Sequence, residues 1–82
     1  MTRKQPHNNY VNLDKLRGLL AEKKITYKQC AEAIGISKYQ FSRKMTGIAQ
    51  FWIDEVIDLC LFLKLSREEI YTIFFKEISE VV

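Results

Sequence analysis

The sequence predicts a small all-α domain built from five short helices, on the basis of three observations. Three segments carry Ser or Thr followed three positions later by Gln or Glu, the capping-box pattern that satisfies free N–H groups where a helix begins: Thr26–Gln29, Ser37–Gln40 and Ser66–Glu69. Each precedes apolar residues at helical spacing, and no long segment alternates with the period of two that is typical of strands. The 82 residues, 48% of them hydrophobic, suffice for one domain with one core and rule out a low-complexity or disordered class.

The first two helices follow from their caps and their apolar stripes. Helix one is expected over residues 13–24, with Asn12 as its N-cap and an apolar stripe at Leu13, Leu16 and Leu20. Helix two is expected over residues 27–34 and ends at Gly35, because glycine tolerates the left-handed conformation of a C-cap. Its buried side is expected to hold Cys30, Ala31 and Ile34.

The remaining helices are predicted in the same way. Helix three begins after Ser37, buries Phe41 and Met45, and ends at Gly47. Helix four is expected over residues 53–63, and its acidic residues stand in the first half, where the helix dipole favours them. Helix five follows the capping box at residues 66–69. The resulting domain spans residues 11–75, between a basic, flexible arm at residues 1–10 and a C-terminal extension at residues 76–82.

Helices two and three are separated only by the short segment 35–37, which contains a glycine. Two short helices joined by such a turn make a helix-turn-helix, here over about residues 26–46, whose second helix can enter the major groove of DNA. At 100° per residue, Phe41 and Met45 point inward, and the outward side chains are Tyr39, Ser42, Arg43 and Thr46. The outward set contains no acid, and Lys38 stands at the helix start, so this surface suits phosphates and base edges.

Two stretches of this region resemble the lambdoid phage repressor and Cro superfamily, often called the XRE family. They are ITYKQCAEAIGIS at residues 25–37 and FSRKMTG at residues 41–47, and residues 51–70 look like the fourth and fifth helices of the same fold. The resemblance covers about residues 12–75. It implies a compact, five-helix, lambda-repressor-like DNA-binding domain of a kind that is usually dimeric on palindromic operators.

The resemblance also implies which residues contact DNA. The start and outer face of the third helix read bases in the family, and the corresponding positions here are Lys38, Tyr39, Ser42 and Arg43. Phosphate contacts are expected at the start of the second helix and beside the third: Thr26, Tyr27, Lys28, Ser37 and Lys44. Arg43 is expected to bind guanine, since a guanidinium bonds O6 and N7 together. The family often has an apolar residue where Lys44 stands, so Met45 is expected to supply that packing while Lys44 extends outward.

The charge of the chain is divided between its two halves. Residues 1–50 hold ten basic and three acidic residues, a net +7, whereas residues 51–82 carry a net −4. A basic half suits a polyanionic partner, although charges that only solvate helix faces give the same totals. The acidic half has apolar residues in excess, and leftover apolar surface is typical of an interface. A homodimer interface is therefore expected at Phe74, Phe75, Ile78 and Val81, with packing against helix one as the alternative.

The sequence lacks the residue sets that metal-binding proteins and enzymes need. Cys30 and Cys60 lie on apolar stripes and His7 is the only histidine, so a zinc site or a catalytic dyad has no candidate set. We expect no enzymatic activity, no cofactor and no small-molecule substrate. The longest apolar run, residues 59–63, is far too short to span a bilayer, and a cytoplasmic, nucleoid-associated protein without a membrane partner is expected.

The sequence therefore favours a sequence-specific transcriptional regulator of phage or mobile-element type. It is expected to bind double-stranded DNA as a homodimer, with helix 38–46 in the major groove of a palindromic operator. The alternative is a protein-interaction module, such as an antitoxin or antirepressor, that keeps the same fold. The basic outer face of helix three favours the first of these two functions.

Overall fold

The computed structural model describes residues 11–76, and within this range every regular element is helical. Five α-helices follow one another, and the fifth continues without a break into a short π-helical segment. The elements are α1 (Leu13–Lys23), α2 (Tyr27–Ile34), α3 (Lys38–Met45), α4 (Ile53–Leu63), α5 (Arg67–Ile70) and the π segment (Tyr71–Phe75). The predicted all-α class with five helices is thereby confirmed, while the predicted N-terminal arm lies outside the described residues.

The helix starts are held by the side chains that the sequence pattern indicates. Asn12 accepts the N–H of Lys15 at 3.0 Å at the start of α1. In the three capping boxes the hydroxyl accepts the N–H of the third helical residue at 3.1 Å in each case. The Gln or Glu side chain accepts the N–H of the cap residue in return, at 2.8 to 3.0 Å. Each box satisfies two N–H groups that the helix itself leaves free.

Three helices end on a residue in the left-handed conformation. Gly35 ends α2 with a φ of 79°, as predicted. Lys24 and Lys64 end α1 and α4 with φ of 59° and 55°, a region in which a side chain normally costs about 1–2 kcal/mol. Helix α1 is therefore one residue shorter than predicted, because Lys24 is its cap and not its last helical residue.

The core lies between α1, α2, α4 and the inner side of α3, and it is centred on Phe41. The ring of Phe41 is fully buried and meets two other rings edge to face, Tyr27 at 5.3 Å and Phe51 at 5.9 Å between centroids. Cys30 is also fully buried, and burial raises the pKa of its thiol to about 11. Cys30 is therefore a protonated packing residue at neutral pH.

The π segment closes the domain against the start of α1. The N–H of Asn12 donates to the carbonyl of Ile73 at 2.7 Å, and Ile73 and Phe74 enter the core. Phe74 is only 2% exposed, which corrects its assignment to a dimer surface, because the π segment turns its ring toward the core of its own chain. Phe75 is partly exposed, and the other two residues of the predicted interface lie outside the described residues. No helix within residues 11–76 is long and apolar enough to cross a membrane.

Candidate nucleic-acid interface

Helices α2 and α3 pack against each other through a tight glycine turn. The N–H of Gly35 donates to the carbonyl of Glu32, and the N–H of Ile36 donates to the carbonyl of Ala31 at 3.0 Å, so the chain reverses within three residues. Ala31 is buried where the helices approach, because a larger side chain at this position would separate them. This packing fixes the angle of α3, and no other helix of residues 11–76 covers its outer face.

The outer face of α3 carries the four residues predicted to read bases. Lys38 and Tyr39 are exposed at the start of the helix, and Ser42 and Arg43 are partly buried one turn later. Phe41 and Met45 point into the core on the opposite side, as the helical spacing predicts. No acidic residue lies within α3, so this face offers donors and cations to an approaching polyanion.

Tyr39 and Arg43 form a stacked pair on this face. The guanidinium carbon of Arg43 lies 5.7 Å from the centroid of the Tyr39 ring, within the range of a cation–π interaction. The two residues are four positions apart, which places them one above the other on a helix. Tyr39 therefore restricts the Arg43 side chain, whose planar donor fork suits bidentate binding. Residue spacing predicted the shared face but not the stacking.

The predicted phosphate contacts at the helix starts differ in what their side chains can offer. The hydroxyls of Thr26 and Ser37 accept N–H bonds in their capping boxes and lie 3.3 Å from the paired glutamine oxygens. These hydroxyls are thus already engaged within the domain. The Tyr27 ring is partly buried against Phe41, and Lys28 is exposed, so its ammonium can reach a phosphate.

Lys44 does not extend outward as expected, and this prediction is wrong. The residue is 6% exposed, and its Nζ lies 3.0 Å from a carboxylate oxygen of Glu55 and donates to the carbonyl of Gln50 at 2.7 Å. The Phe51 ring lies 5.9 Å from the same ammonium group. The Lys44 side chain points inward because Glu55, in the first turn of α4, places a largely buried carboxylate beside its ammonium group. Its charge is thus neutralised inside the domain rather than presented to a phosphate.

Two further contacts tie α3 to its neighbours, and sequence reasoning did not identify either. The Glu55 carboxylate that binds Lys44 also accepts the N–H of Trp52 at 2.9 Å, so one carboxylate joins the end of α3 to the start of α4. Arg17 of α1 donates to the carbonyl of Met45 at 2.9 Å and forms an ion pair with Asp14. A cation at the C-terminus of α3 is favoured by the helix dipole.

No group of three or more His, Cys, Asp or Glu side chains within residues 11–76 could hold a metal ion. Helix α3 thus presents a guanidinium, an ammonium, a phenol and a hydroxyl from one face. Such a set can bond base edges and phosphates.

Comparison with known proteins supports the same interpretation. A family model described as a Cro/C1-type HTH DNA-binding domain matches residues 15–76, which is most of the chain and includes all of α2, α3 and the turn between them. No curated protein and no solved structure matches the chain.

Proposed function

The chain belongs to the Cro/C1-type helix-turn-helix DNA-binding family, and from this premise we propose that it is a sequence-specific transcriptional regulator of the phage or mobile-element repressor type. The single observation that carries the proposal is the outer face of α3, which is basic, free of acids and held rigid by contacts to α1, α2 and α4. A DNA-binding regulator of this kind works by inserting α3 into the major groove of its operator.

Arg43 is the residue that we assign to guanine. Its stacking on Tyr39 holds the guanidinium ready for bidentate bonds to O6 and N7, and such a pair is worth about 1–3 kcal/mol of discrimination against other bases. Lys38 is at the exposed start of the helix and is assigned to a neighbouring base or to its phosphate, with Tyr39 and Ser42 completing the base-reading set. Lys28 is assigned to a phosphate next to α2, where the exposed ammonium needs no fixed geometry.

The operator is proposed to be a palindrome bound by a homodimer. Two α3 helices related by a two-fold axis reach successive turns of the major groove when they lie about 34 Å apart. Each half-site alone gives few base contacts, so the second copy supplies much of the specificity.

A DNA titration tests the proposal. The full chain is titrated with a palindromic site obtained by in vitro selection and with random DNA, each at several salt concentrations. Specific binding should exceed random binding by at least about 1,000-fold, and affinity should fall with salt at a log–log slope near −0.9 for each phosphate neutralised. A chain that binds a protein partner but shows no salt-dependent DNA binding would support the interaction-module alternative instead.

Variants locate the groove-reading face. Lys38→Ala with Arg43→Ala should reduce specific affinity by at least about 30-fold, because a bidentate pair and a further charge contact are removed together. The matched control removes one exposed lysine and one exposed arginine outside α3 and α4, Lys15→Ala with Arg67→Ala, and should leave the specificity ratio unchanged. Unchanged affinity of the α3 variant would show that the base-reading assignment is wrong.

A further inference from the structure

One face of α4 is apolar and uncovered in the described part of the chain. Ile53, Ile57 and Leu61 recur every four residues and are 65%, 52% and 71% exposed. We call these three residues the α4 stripe. They lie on the side of α4 away from Val56, Leu59 and Leu63, which face the core. Large apolar side chains aligned in this way are expensive to leave in water and mark an interaction surface.

The α4 stripe itself forms one wall of an apolar groove. The groove has a volume of about 250 Å³, and its walls are α4 on one side and Ile70 and Phe75 on the other. Cys60 also lines the groove, and burial raises the pKa of its thiol. A partner that covers the stripe therefore also finds a recess for its own apolar side chains.

Charge excludes DNA as the occupant of this surface. The exposed charges beside the stripe within α4 are the carboxylates of Asp54 and Asp58, and the helix itself carries no basic residue. Phosphates are repelled by carboxylates and gain nothing from an apolar stripe. The surface thus suits a protein rather than the nucleic acid that α3 binds.

The spacing of the stripe points to a second copy of the same chain. Two-fold interfaces must be self-complementary, so that the residue on the axis meets itself and the residues on either side exchange places. Ile53 and Leu61 are each four residues, or about 6 Å along the helix, from Ile57. Two antiparallel α4 helices centred on Ile57 therefore pair Ile53 of each copy with Leu61 of the other.

The ends of α4 favour the same antiparallel arrangement. Asp54 lies in the first turn and Lys64 caps the C-terminus, so in this antiparallel register the Lys64 backbone of each copy lies about 6 Å along the helices from Asp54 of the other, a distance that the long lysine side chain can bridge. A parallel pair would instead place Asp54 beside Asp54. We infer that the α4 stripe is the homodimer surface of this protein, with the two α4 helices antiparallel about Ile57. The inference rests on the dimer in the proposed function, and it places the surface on α4 in place of the set expected from the sequence, Phe74, Phe75, Ile78 and Val81.

The mass of the full chain in solution is the first test. Wild type, measured by sedimentation equilibrium at micromolar concentration, should have twice the 9.7 kDa chain mass. Ile57→Glu should raise the dimer dissociation constant by at least about 30-fold, because a charge is placed on the axis against its own copy. Ile48→Glu is the matched control, since Ile48 is 55% exposed but lies outside α4, and it should remain dimeric. A thermal melt confirms that each variant is folded.

Cysteine cross-linking tests the register. In a Cys60→Ala background, Ile57→Cys should form an interchain disulfide on oxidation with copper phenanthroline, because the two Cα atoms face each other across the axis. Ile53→Cys alone should not, since its copies are about 12 Å apart along the helices. Equal cross-linking of the two variants, or none for Ile57→Cys, would overturn the antiparallel arrangement. A wild-type monomer, or a dimer that survives Ile57→Glu, would overturn the surface itself.

DNA binding separates this inference from the proposed function. Ile57→Glu should bind a single half-site as wild type does and lose at least about 30-fold in affinity for the full palindrome. If the variant stays dimeric and binds the palindrome normally, the surface is refuted and the function stands. If wild type is a dimer through α4 and binds no DNA, the function is refuted and the surface stands.

Discussion

Replacing Lys44 by methionine is expected to lower the free energy of unfolding by about 3 kcal/mol. The Lys44 and Glu55 side chains are 8% and 13% exposed, so both charges are held almost entirely away from water. Removing one partner of a buried ion pair costs about 3–5 kcal/mol, because the other charge stays buried without compensation. This variant falls at the lower end, since Glu55 keeps the N–H of Trp52 and the favourable N-terminal dipole of α4.

Replacing Glu55, alone or together with Lys44, measures how much unfolding free energy the two charges contribute as a pair. Glu55→Gln should cost about 4 kcal/mol, since the buried ammonium of Lys44 keeps only the Gln50 carbonyl and the Phe51 ring. The double variant, Lys44→Met with Glu55→Gln, should cost less than either single variant, because no buried charge is left. This non-additivity distinguishes an ion pair from two independent packing contacts.

Urea denaturation followed by far-UV circular dichroism measures these differences. A loss of 3 kcal/mol corresponds to a fall of about 12–24 °C in the melting midpoint of a domain this size. Lys28→Met is the matched control, and with its side chain exposed on α2 it should stay within about 0.5 kcal/mol of wild type. A loss below about 1 kcal/mol for Lys44→Met, or a double variant whose cost equals the sum of the two, would refute the reasoning.

Three other outcomes are expected. Tyr39→Leu should weaken DNA binding about 2- to 5-fold more than Tyr39→Phe does and should relax the guanine preference, because only an aromatic ring restrains Arg43. Equal losses for the two variants in binding titrations would show that the stacking does not contribute. The backbone N–H of Ser66 donates to the Glu69 carboxylate and lowers its pKa. Wild type should therefore lose more unfolding free energy than Glu69→Gln as the pH falls from about 5 to 3. Parallel profiles of unfolding free energy against pH would contradict this. Cys30, with a pKa of about 11, should react with iodoacetamide at pH 8 at least about 100-fold more slowly than in the unfolded chain, and comparable rates would show that the core opens readily.

The helices were predictable because their start signals are local. A Ser or Thr and the Gln or Glu three residues later belong to the same turn, so the capping box can be recognised before any tertiary contact is known. The outer face of α3 was predictable for the same reason, since 100° per residue separates Arg43 from Phe41 without reference to other elements. Whether these residues bind bases stays a prediction.

The features that escaped prediction depend on partners distant in the chain or on unusual backbone geometry. In the sequence Lys44 resembles any surface lysine. Its burial depends on Glu55, eleven residues later, which the loop between α3 and α4 brings to the Lys44 ammonium group. Ile73, Phe74 and Phe75 are equally apolar, and only the π segment decides which of them are turned inward. A wider helical turn has no residue signature comparable to a cap, so its effect on the last apolar residues was not visible in the sequence.

The hydrogen bond from Asn12 to Ile73 has a consequence for synthesis of the protein. The two residues are 61 positions apart, and Ile73 and Phe74 supply part of the core that receives α1. When α1 to α4 of a nascent chain have emerged from the ribosome, Ile73 and Phe74 have not. Helix α1 therefore cannot pack into its complete core until nearly the whole domain has been synthesised. Folding is thus expected to occur as one late step. Until that step the apolar face of α1 stays exposed, where a chaperone can bind it.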